Sequence, residues 1–570
     1  MKFILKELWL NLNDTEKNKV FLILFMMIFV LLFETFVISQ VYFIFKILTN
    51  QNINFIFFLD INKYIYSLEY KKLIVFSLCY LNIIYFFKNI YIGFFIYIEK
   101  KYIAGIQLKI TEKLFKNYIK RPYIFHTENN SSYLINKVYY ESQFFESTLV
   151  QSLTFLTELL LLFFIALFVL ITEPIVGIAI ISLFSLIAFC IYKILNKKIN
   201  QWSELRHKSS NETIKNLNFF FNSFKILKIY GKEKQFIKNF SLNFFKILNY
   251  SKLYKIINSY PRLFYEIFFI IALTILVLSI MLEARNISDT IPVAALFGAV
   301  AFRILPSFNR ISNNIQAIQN AKPILEKLLK DLSYKFKNNT KFFIDSFPNN
   351  IIFENIFFKY KNNSKQIVKN LSLEIKKNDY IGIIGASGLG KTTFLNLLLG
   401  LFHPQQGVIK INNKKIDIKN YQFRGCVGYV TQSIYLSDDS LLNNIVFGQK
   451  GKKIDLIKVQ KALNLSGLSN FIKSLPLGLD THIGENGIKI SGGQRQKIAI
   501  AQSLYYDPDL IIFDEATSSL DLASESEILD SIQEIRKKKT IIIVSHRNST
   551  LKYCEKIFKL ENGSLKSVKI

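Results

Sequence analysis

The chain has 570 residues, too many for one hydrophobic core, and 51% of them are hydrophobic. Because 20% are also charged, the composition excludes both a purely soluble protein and one confined to the bilayer, so we expect a membrane part joined to a soluble part. The formal charge of +30 is compatible with nucleic-acid binding, but much of the lysine flanks apolar runs, where membrane proteins carry it on the cytosolic side.

Six apolar runs are long enough to cross about 30 Å of hydrocarbon as helices of roughly 20 residues. Two connections between them are long and rich in lysine, at 99–121 and 193–255. We therefore expect both connections and both chain termini in the cytosol, with the helices continuing well beyond the bilayer. The predicted spans are 20–48, 73–98, 148–172, 174–195, 262–283 and 288–310.

The outer connection after the first span mixes aromatic residues with a few charges at 55–68. This pattern is compatible with an interfacial helix and, equally, with an ordinary loop. The first span itself is far longer than the core of a signal peptide, so we expect it to be retained. The four cysteines show no paired spacing, and we predict no disulfide framework.

Four cations interrupt the predicted spans: Lys88, Arg262, Arg303 and Arg310. In the orientation derived above all four lie in the inner half of the membrane, and Arg303 and Arg310 share one helix face on either side of Pro306. They either pair with acids of the spans or reach lipid headgroups, or they line a cavity for an anionic group. We favour pairing or headgroup contact for Lys88 and Arg262 taken singly, and the cavity for Arg303 and Arg310 together. The acids are Glu34, Glu158 and Glu266.

Beyond these spans the composition changes, and short β-type runs alternate with helical ones. This alternation predicts an α/β domain. We place the membrane domain at 1–332, a polar linker at 333–350 and the α/β domain at 351–570.

A glycine-rich turn between a predicted strand and a predicted helix carries the pattern G-x-x-x-x-G-K-T. In this context backbone N–H groups and the helix start bind phosphates, Lys391 reaches the β and γ phosphates of a nucleotide, and the Thr392 hydroxyl ligates magnesium. The predicted ATP-binding residues of this segment are Gly385, Ala386, Ser387, Gly388, Leu389, Gly390, Lys391, Thr392 and Thr393.

Two acids, Asp514 and Glu515, follow the apolar run LIIF. A carboxylate at a strand end beside a phosphate loop can hold magnesium, and a neighbouring carboxylate can polarise an attacking water. We assign Asp514 to the metal and Glu515 to the general base.

The segment ISGGQ, from Ile490 to Gln494, opens a helix. With this motif the α/β domain resembles that of ABC transporters, whose signature is LSGGQ, here with Ile490 in place of leucine. Four further motifs follow the family's order: Tyr360 in FFKY, Gln432 in GYVTQ, SSLD at 518–521, and His546 in IIIVSHR.

The resemblance implies roles for these residues. Tyr360 would stack on adenine, Gln432 and His546 would assist Glu515 in catalysis, and ATP would bind with Mg²⁺. The implied metal ligands are Thr392, Gln432 and Asp514, and the residues that would bind ATP across a dimer interface are Ser491, Gly492, Gly493 and Gln494. Because the chain has one phosphate loop and one signature, we expect a homodimer joined through both domains.

Six spans ahead of one ATPase domain resemble the half-size exporters: a membrane all-α six-helix transmembrane domain followed by a cytosolic α/β P-loop ATPase domain. This arrangement implies ATP-driven transport across a bacterial inner membrane, with the ATPase domain and both termini in the cytoplasm. It also implies coupling segments near 121–130 and 211–233.

Three membrane segments are similar, in order, to segments of PglK-type lipid-linked oligosaccharide flippases: FETFVIS, PRLFYE and FRILPSFNRI. This likeness implies a polyprenyl-pyrophosphate-linked oligosaccharide as cargo, flipped from the inner to the outer leaflet for protein glycosylation or surface polysaccharide assembly. The four membrane cations would then face the pyrophosphate. The alternative is a lipid A or multidrug half-size exporter. We expect no amino-terminal peptidase domain, which disfavours a peptide exporter, and six spans disfavour a nucleic-acid ATPase.

Overall fold

A computed structural model describes Trp9 and residues 13–49, 70–172, 174–282, 287–334, 342–360, 366–386, 388–417, 421–449, 454–516, 521–535 and 538–568. The segment 55–68, for which an interfacial helix and an ordinary loop fit equally well, lies outside these residues. The chain divides into two units. The first comprises Met1–Arg121 and Glu128–Lys335, and the second comprises Pro122–Thr127 and Phe336–Ile570.

Helices account for most of the described chain before residue 333. Four helical stretches of the described chain are long and apolar enough to cross a membrane: Asp14–Leu48, Ile74–Lys120, Ser131–Thr172 and Ile291–Leu332. The spans predicted at 174–195 and 262–283 fall on helices whose side chains are only partly described, and they stay predictions. The helices are α1 (Asp14–Leu48), α2 (Tyr70–Lys120), α3 (Tyr123–Glu128), α4 (Ser131–Ile135), a π-helix (Asn136–Glu141), α5 (Gln143–Thr172), α6 (Pro174–Asn222), α7 (Phe224–Tyr230), α8 (Glu233–Leu282) and α9 (Ile287–Leu332).

The long helices extend beyond any bilayer. Helix α2 has 51 residues, which at 1.5 Å per residue gives a length of about 76 Å, more than twice the hydrocarbon thickness. Helix α6 continues to Asn222, and α8 begins at Glu233. The prediction that the lysine-rich connections continue the spans as helices is confirmed.

The core of the first unit lies between α1, α5 and α9. Leu31, Leu161 and Leu296, one from each helix, are buried in a single cluster. On α2, by contrast, Phe76 and Phe86 each expose 65% of their surface. Such exposure of aromatic side chains is unfavourable in water and suits a surface that faces lipid.

The described residues of the second unit form an α/β domain with three sheets. Its strands are β1 (Phe342–Ile344), β2 (Asn350–Phe358), β3 (Val368–Lys376), β4 (Tyr380–Ile384), β5 (Gln406–Ile411), β6 (Lys414–Ile416), β7 (Tyr421–Phe423), β8 (Val427–Val430), β9 (Leu510–Asp514), β10 (Thr540–Val544), β11 (Lys556–Glu561) and β12 (Ser564–Val568). The main sheet has the strand order β12-β11-β4-β10-β9-β8, parallel except for the β11–β12 pair, and a four-stranded antiparallel sheet has the order β3-β2-β5-β6.

The helices of this unit cover the main sheet. Strands β9 and β10 are buried along their whole length, as expected of parallel strands covered on both faces. The helices are α10 (Lys391–Leu398), α11 (Leu441–Ile445), α12 (Leu456–Leu465), α13 (Ser469–Ser474), α14 (Gly492–Tyr505), α15 (Leu522–Ile535) and α16 (Asn548–Leu551).

One predicted boundary needs correction. The range 333–350, predicted as a linker, contains β1, which pairs in parallel with β7. The apolar end of β1 explains this, because Ile344 is buried with Phe347 in the core of the second unit. The α/β fold therefore begins before residue 351.

Candidate nucleotide site and membrane cations

The phosphate loop lies between β4 and α10, as the motif predicts. Gly388 and Gly390 have φ values of +81° and +100°, which glycine adopts without strain. A Cβ at Gly390 would also come within 2.7 Å of the Ile367 side chain. Ser387 lies outside the described residues. The Lys391 ammonium donates to the carbonyls of Gly385 and Ala386, at 2.7 and 3.3 Å.

Four predicted site residues from four separate segments converge beside this loop. His546 Nε2 lies 2.8 Å from Lys391 Nζ and 3.0 Å from Glu515 Oε1. Lys391 Nζ is 3.4 Å from the same carboxylate oxygen, and the Gln432 amide donates to Glu515 Oε2 at 2.7 Å. Cation, imidazole, amide and carboxylate are thus within reach of one another, as proton transfer at a bound phosphate requires.

Glu515 adopts an unusual backbone conformation. Its φ is +55°, a left-handed geometry that costs a non-glycine residue about 1–3 kcal/mol and that recurs at functional sites. Its N–H donates to the Val544 carbonyl at 2.9 Å. This bond ties the turn after β9 to the end of β10, two residues before His546.

Asp514 is nearly fully buried and faces neutral donors. The Thr392 hydroxyl and the Tyr429 phenol donate to its Oδ2 at 3.3 and 3.1 Å. Burial raises the pKa of Asp514, although these two hydrogen bonds oppose the shift. A buried carboxylate beside a threonine hydroxyl fits a divalent cation. Gln432, the third predicted ligand, instead contacts Glu515.

Tyr429 was missed by the sequence analysis. Tyr429 lies on β8, which pairs with β9. The register of the two strands brings its side chain to Asp514, the last residue of β9. Its place in GYVTQ, three residues before Gln432, was the available signal.

Tyr360 lies next to the start of α10. Its hydroxyl is 3.1 Å from Thr393 Oγ1, and its ring meets those of Phe358 and Phe402 edge-on at 5.3 and 5.6 Å between centroids. The ring is held in place beside the phosphate loop.

The signature motif caps helix α14. Ser491 Oγ accepts from the Gln494 N–H at 3.2 Å, and the Gln494 side chain accepts from the Ser491 N–H at 2.9 Å. Gly492 and Gly493 form the first helical turn. This reciprocal cap orients the helix start.

The loop that carries His546 is held from helix α15. Glu525, 1% exposed, accepts from Arg547 Nη1 at 2.8 Å and from the Thr550 hydroxyl at 2.7 Å. The Arg547 N–H donates to Ser545 Oγ at 3.0 Å. Residues on both sides of His546 are therefore fastened. Of the SSLD motif, 518–520 lie outside the described residues.

In the first unit each predicted membrane cation lies beside an acid. Lys88 donates to Glu34 Oε2 at 3.1 Å, and Arg303 Nε lies 3.4 Å from the same oxygen. Arg310 Nε is 2.8 Å from Glu158 Oε1, and Arg262 Nε is 2.8 Å from Glu266 Oε1 one turn further along α8. Arg303 and Arg310 thus meet acids of different helices, α1 and α5.

These cations differ in exposure. The side chains of Lys88 and Glu34 are each 10% exposed and that of Arg303 is 23% exposed, whereas Arg310 and Arg262 expose 46% and 69%. The pairing interpretation therefore describes all four contacts, while Arg310 and Arg262 also remain accessible.

A cleft of about 360 Å³ lies between α8 and α9 beside Arg262. Its lining holds two cations and three neutral polar residues: Lys255, Ser259, Arg262, Asn309 and Asn313. The sequence analysis named only Arg262. The spacing of 255, 259 and 262 on α8, and of 309 and 313 on α9, placed the others on common helix faces.

Comparison with known proteins adds to this geometry. A family profile described as ABC transporter matches residues 368–518. An ATP-dependent lipid A-core flippase of Wigglesworthia glossinidia brevipalpis is 30% identical over 488 residues, covering 81% of this chain and 79% of that protein. Its namesake in Cupriavidus metallidurans is 26% identical over 470 residues, covering 80% of this chain and 78% of that protein.

A solved structure is similar over nearly the whole chain. The ATP-bound structure of a bacterial Atm1-family ABC exporter has a TM-score of 0.80 at 18% identity, covering 97% of this chain and 95% of that one. The two proteins share a fold, and the predicted fold class is confirmed.

Proposed function

Because the chain belongs to the ABC transporters of the half-size exporter type, which couple ATP hydrolysis to transport, we propose that it flips a lipid with a phosphorylated head group. The cargo that we propose is a polyprenyl-pyrophosphate-linked oligosaccharide, moved from the inner to the outer leaflet for protein glycosylation or surface polysaccharide assembly. The membrane cations are the observation that carries this proposal.

Two features of these cations support an anionic cargo. Lys88 and Arg303 share one carboxylate oxygen of Glu34, so the three side chains together keep a positive charge that an anion would balance. No carboxylate is among the described residues that line the cleft beside Arg262. Arg310 and Arg262 are exposed enough to exchange a carboxylate partner for a phosphate, and the guanidinium fork suits either group.

In the ATP site we assign the roles as follows. Lys391, the backbone of 385–390 and Thr393 bind the phosphates, and Tyr360 packs against the adenine. Glu515 accepts the proton of the attacking water, with Gln432 and His546 orienting it. The contacts among Lys391, Glu515, His546 and Gln432 support this assignment.

Thr392 and Asp514 are the residues that we propose would hold Mg²⁺, with Gln432 as a third ligand. The ion would neutralise phosphate charge during hydrolysis. Tyr429 keeps the buried Asp514 carboxylate turned toward Thr392.

We also propose that the working unit is a homodimer through both domains. The side chains of Ser491 and Gln494 cap their own helix, and the start of α14, with Gly492 and Gly493, is suited to bind ATP held by a second copy. The protein spans its membrane several times. We place it in the bacterial inner membrane with both termini and the ATPase domain in the cytoplasm.

A lipid A-core cargo is the second candidate. It is favoured by the names of relatives that match about four fifths of this chain, and lipid A also carries phosphate. The chemistry shared by both cargoes is a phosphorylated lipid head group, so a direct transport comparison must separate them.

The test uses the full-length protein in proteoliposomes with either lipid. We expect ATP-dependent flipping of the pyrophosphate-linked oligosaccharide, and a loss of at least about tenfold in the double variant R303A/R310A, since hydrogen bonds to charged groups contribute about 1.5–3 kcal/mol each. Basal ATP hydrolysis should persist. The control K116A removes a cation of α2 whose partner is Glu112 on the same helix.

An unaltered flipping rate in the double variant would refute the role of the arginines. Movement of lipid A-core without movement of the oligosaccharide would establish the second candidate. Thermal unfolding of each variant is measured in parallel, because removing Arg310 deprives Glu158 of its partner.

A further inference from the structure

Asp331, next to the last residue of α9, gathers side chains from two other segments of the first unit. The Tyr118 hydroxyl donates to its Oδ2 and Arg121 Nη2 to its Oδ1, both at 2.8 Å. Lys137, in the π-helix, donates to Oδ2 as well. One carboxylate thus joins the ends of α2 and α9 to the π-helix.

Backbone groups belong to the same arrangement. The side-chain amide of Asn117 donates to the carbonyls of Asp331 and Leu332, at 3.3 and 3.2 Å. The last carbonyls of a helix have no partner within it. Asn117 therefore binds the end of α9 to α2 independently of the Asp331 carboxylate.

Aromatic rings lie beside the two cations. The Arg121 guanidinium lies 4.7 Å from the ring centre of Tyr334 and 5.3 Å from that of Tyr118, and Lys137 Nζ lies 4.6 Å from that of Tyr133. The side chains of Lys137, Arg121 and Asp331 are only 7%, 10% and 15% exposed. We call Asn117, Tyr118, Arg121, Lys137 and Asp331 together the Asp331 node.

Stability alone does not account for such a node. Buried ion pairs contribute little net stability compared with well-packed apolar residues, because desolvation offsets their attraction. They do provide a defined geometry, because removing one partner of a buried ion pair leaves the other charge buried without compensation. The π-helix, a form that recurs at functional sites, places Lys137 where it can complete the node.

The position of the node in the chain is the decisive point. Arg121 is followed directly by Pro122–Thr127, which belongs to the second unit, and α9 ends four residues before that unit resumes at Phe336. Within the second unit, the ring centres of Tyr123 and Phe402 are 5.9 Å apart, and the Phe402 ring also meets that of Tyr360. Two of the chain's passages between the units therefore start at the node.

We infer that Asp331 is a positioning residue for coupled transport: it holds the ends of α2 and α9 together so that both helices follow the ATP-dependent motion of the ATPase domain. This inference rests on the ATP-driven transport of the family and not on the identity of the cargo. Without the carboxylate, the ATPase domain would still turn over while α2 and α9 respond separately.

Hydrogen exchange of the full-length protein in nanodiscs, with and without ATP and vanadate, tests this. In the parent protein we expect ATP to change exchange in peptides that cover 100–121 and 312–332. In D331N the change in these peptides should fall at least about fivefold, the lower end of typical coupling factors, while peptides covering 388–400 respond as before. D331E, which keeps the carboxylate, should restore much of the response.

The matched control is E112Q, which removes an exposed acid of α2 paired with Lys116 on the same helix. It should leave every peptide's response unchanged. An undiminished response of 100–121 and 312–332 in D331N would overturn the inference. So would a loss of the response in 388–400, because Asp331 would then support folding and not coupling.

Discussion

The two units differ in how they bring their predicted functional residues together. In the ATPase domain, Lys391, Glu515, His546 and Gln432 come from distant parts of the chain and meet at one point. In the membrane domain, Arg303 and Arg310 lie seven residues apart on one helix and meet acids of two different helices. Proximity in sequence is thus a poor guide to shared ion-pair partners in a helical membrane domain, and a parallel sheet can gather residues that are far apart.

The cause is geometric. Parallel strands end at a common edge, so loops that follow β4, β8, β9 and β10 are neighbours whatever their separation in sequence. A helix offers no such edge. Its period determines which face a side chain occupies, and the helices packed against that face determine the partner.

Removal of the Glu515 carboxylate should have the largest effect, because this carboxylate contacts the other three residues that meet in the ATPase domain. We expect E515Q to hydrolyse ATP about 100- to 10,000-fold more slowly, because general base catalysis typically contributes that factor. Phosphate release measures the loss, and a fluorescent ATP analogue checks that binding persists. Hydrolysis within tenfold of the parent would mean that the base lies elsewhere.

The next largest effect is expected on stability, when a buried ion pair and an exposed ion pair of the membrane domain are broken separately. E34Q leaves Lys88 and Arg303 without their carboxylate, which should destabilise the fold by about 3–5 kcal/mol, as for other buried ion pairs. E266Q breaks a pair whose side chains are 47% and 69% exposed, and should cost at most about 1 kcal/mol. Thermal unfolding in detergent compares the two. Equal midpoints would show that Glu34 does not serve as the counter-charge of this site.

A smaller effect is expected where residues act on the site through a neighbour. E525Q weakens the bonds that hold Arg547 and Thr550, and we expect ATP hydrolysis to fall about tenfold, equivalent to about 1.4 kcal/mol, with half-saturation by ATP unchanged. The control D530N changes an exposed acid of the same helix, which accepts a long hydrogen bond of 3.4 Å from the Tyr553 hydroxyl. A shift in ATP half-saturation without a change in maximal rate would contradict the positioning of His546 by Glu525.

Much of the ATPase domain was predictable from sequence for a physical reason. Its motifs are contiguous, and each carries its own local geometry: glycines for the turn at 385–390, a lysine and a threonine at the helix start, and acids at the end of a buried strand. The fold class and the family follow from these segments and are confirmed. The individual roles of the site residues stay predictions for the experiments above.

The boundary near residue 342 and the residues that support the site were harder to predict from the sequence. Strand β1 has only three residues, and it is a strand because β7 lies beside it. Tyr429 and Glu525 reach Asp514 and Arg547 through the register of strands and the packing of α15. No periodic pattern in the sequence predicts such contacts.

Residue order alone predicted a membrane part and a nucleotide-binding part, because apolar length and phosphate-binding motifs are local properties, and the resemblance to ABC transporters implied ATP-driven transport. The partners of the membrane cations, the cleft between α8 and α9, and the Asp331 node depend on which helices pack together. In Asp331 an ordinary acid near a helix end acquires its proposed role only when α2 and the π-helix bring Tyr118, Arg121 and Lys137 to it. Long-range packing sums many weak contacts, and it is there that local patterns cease to predict.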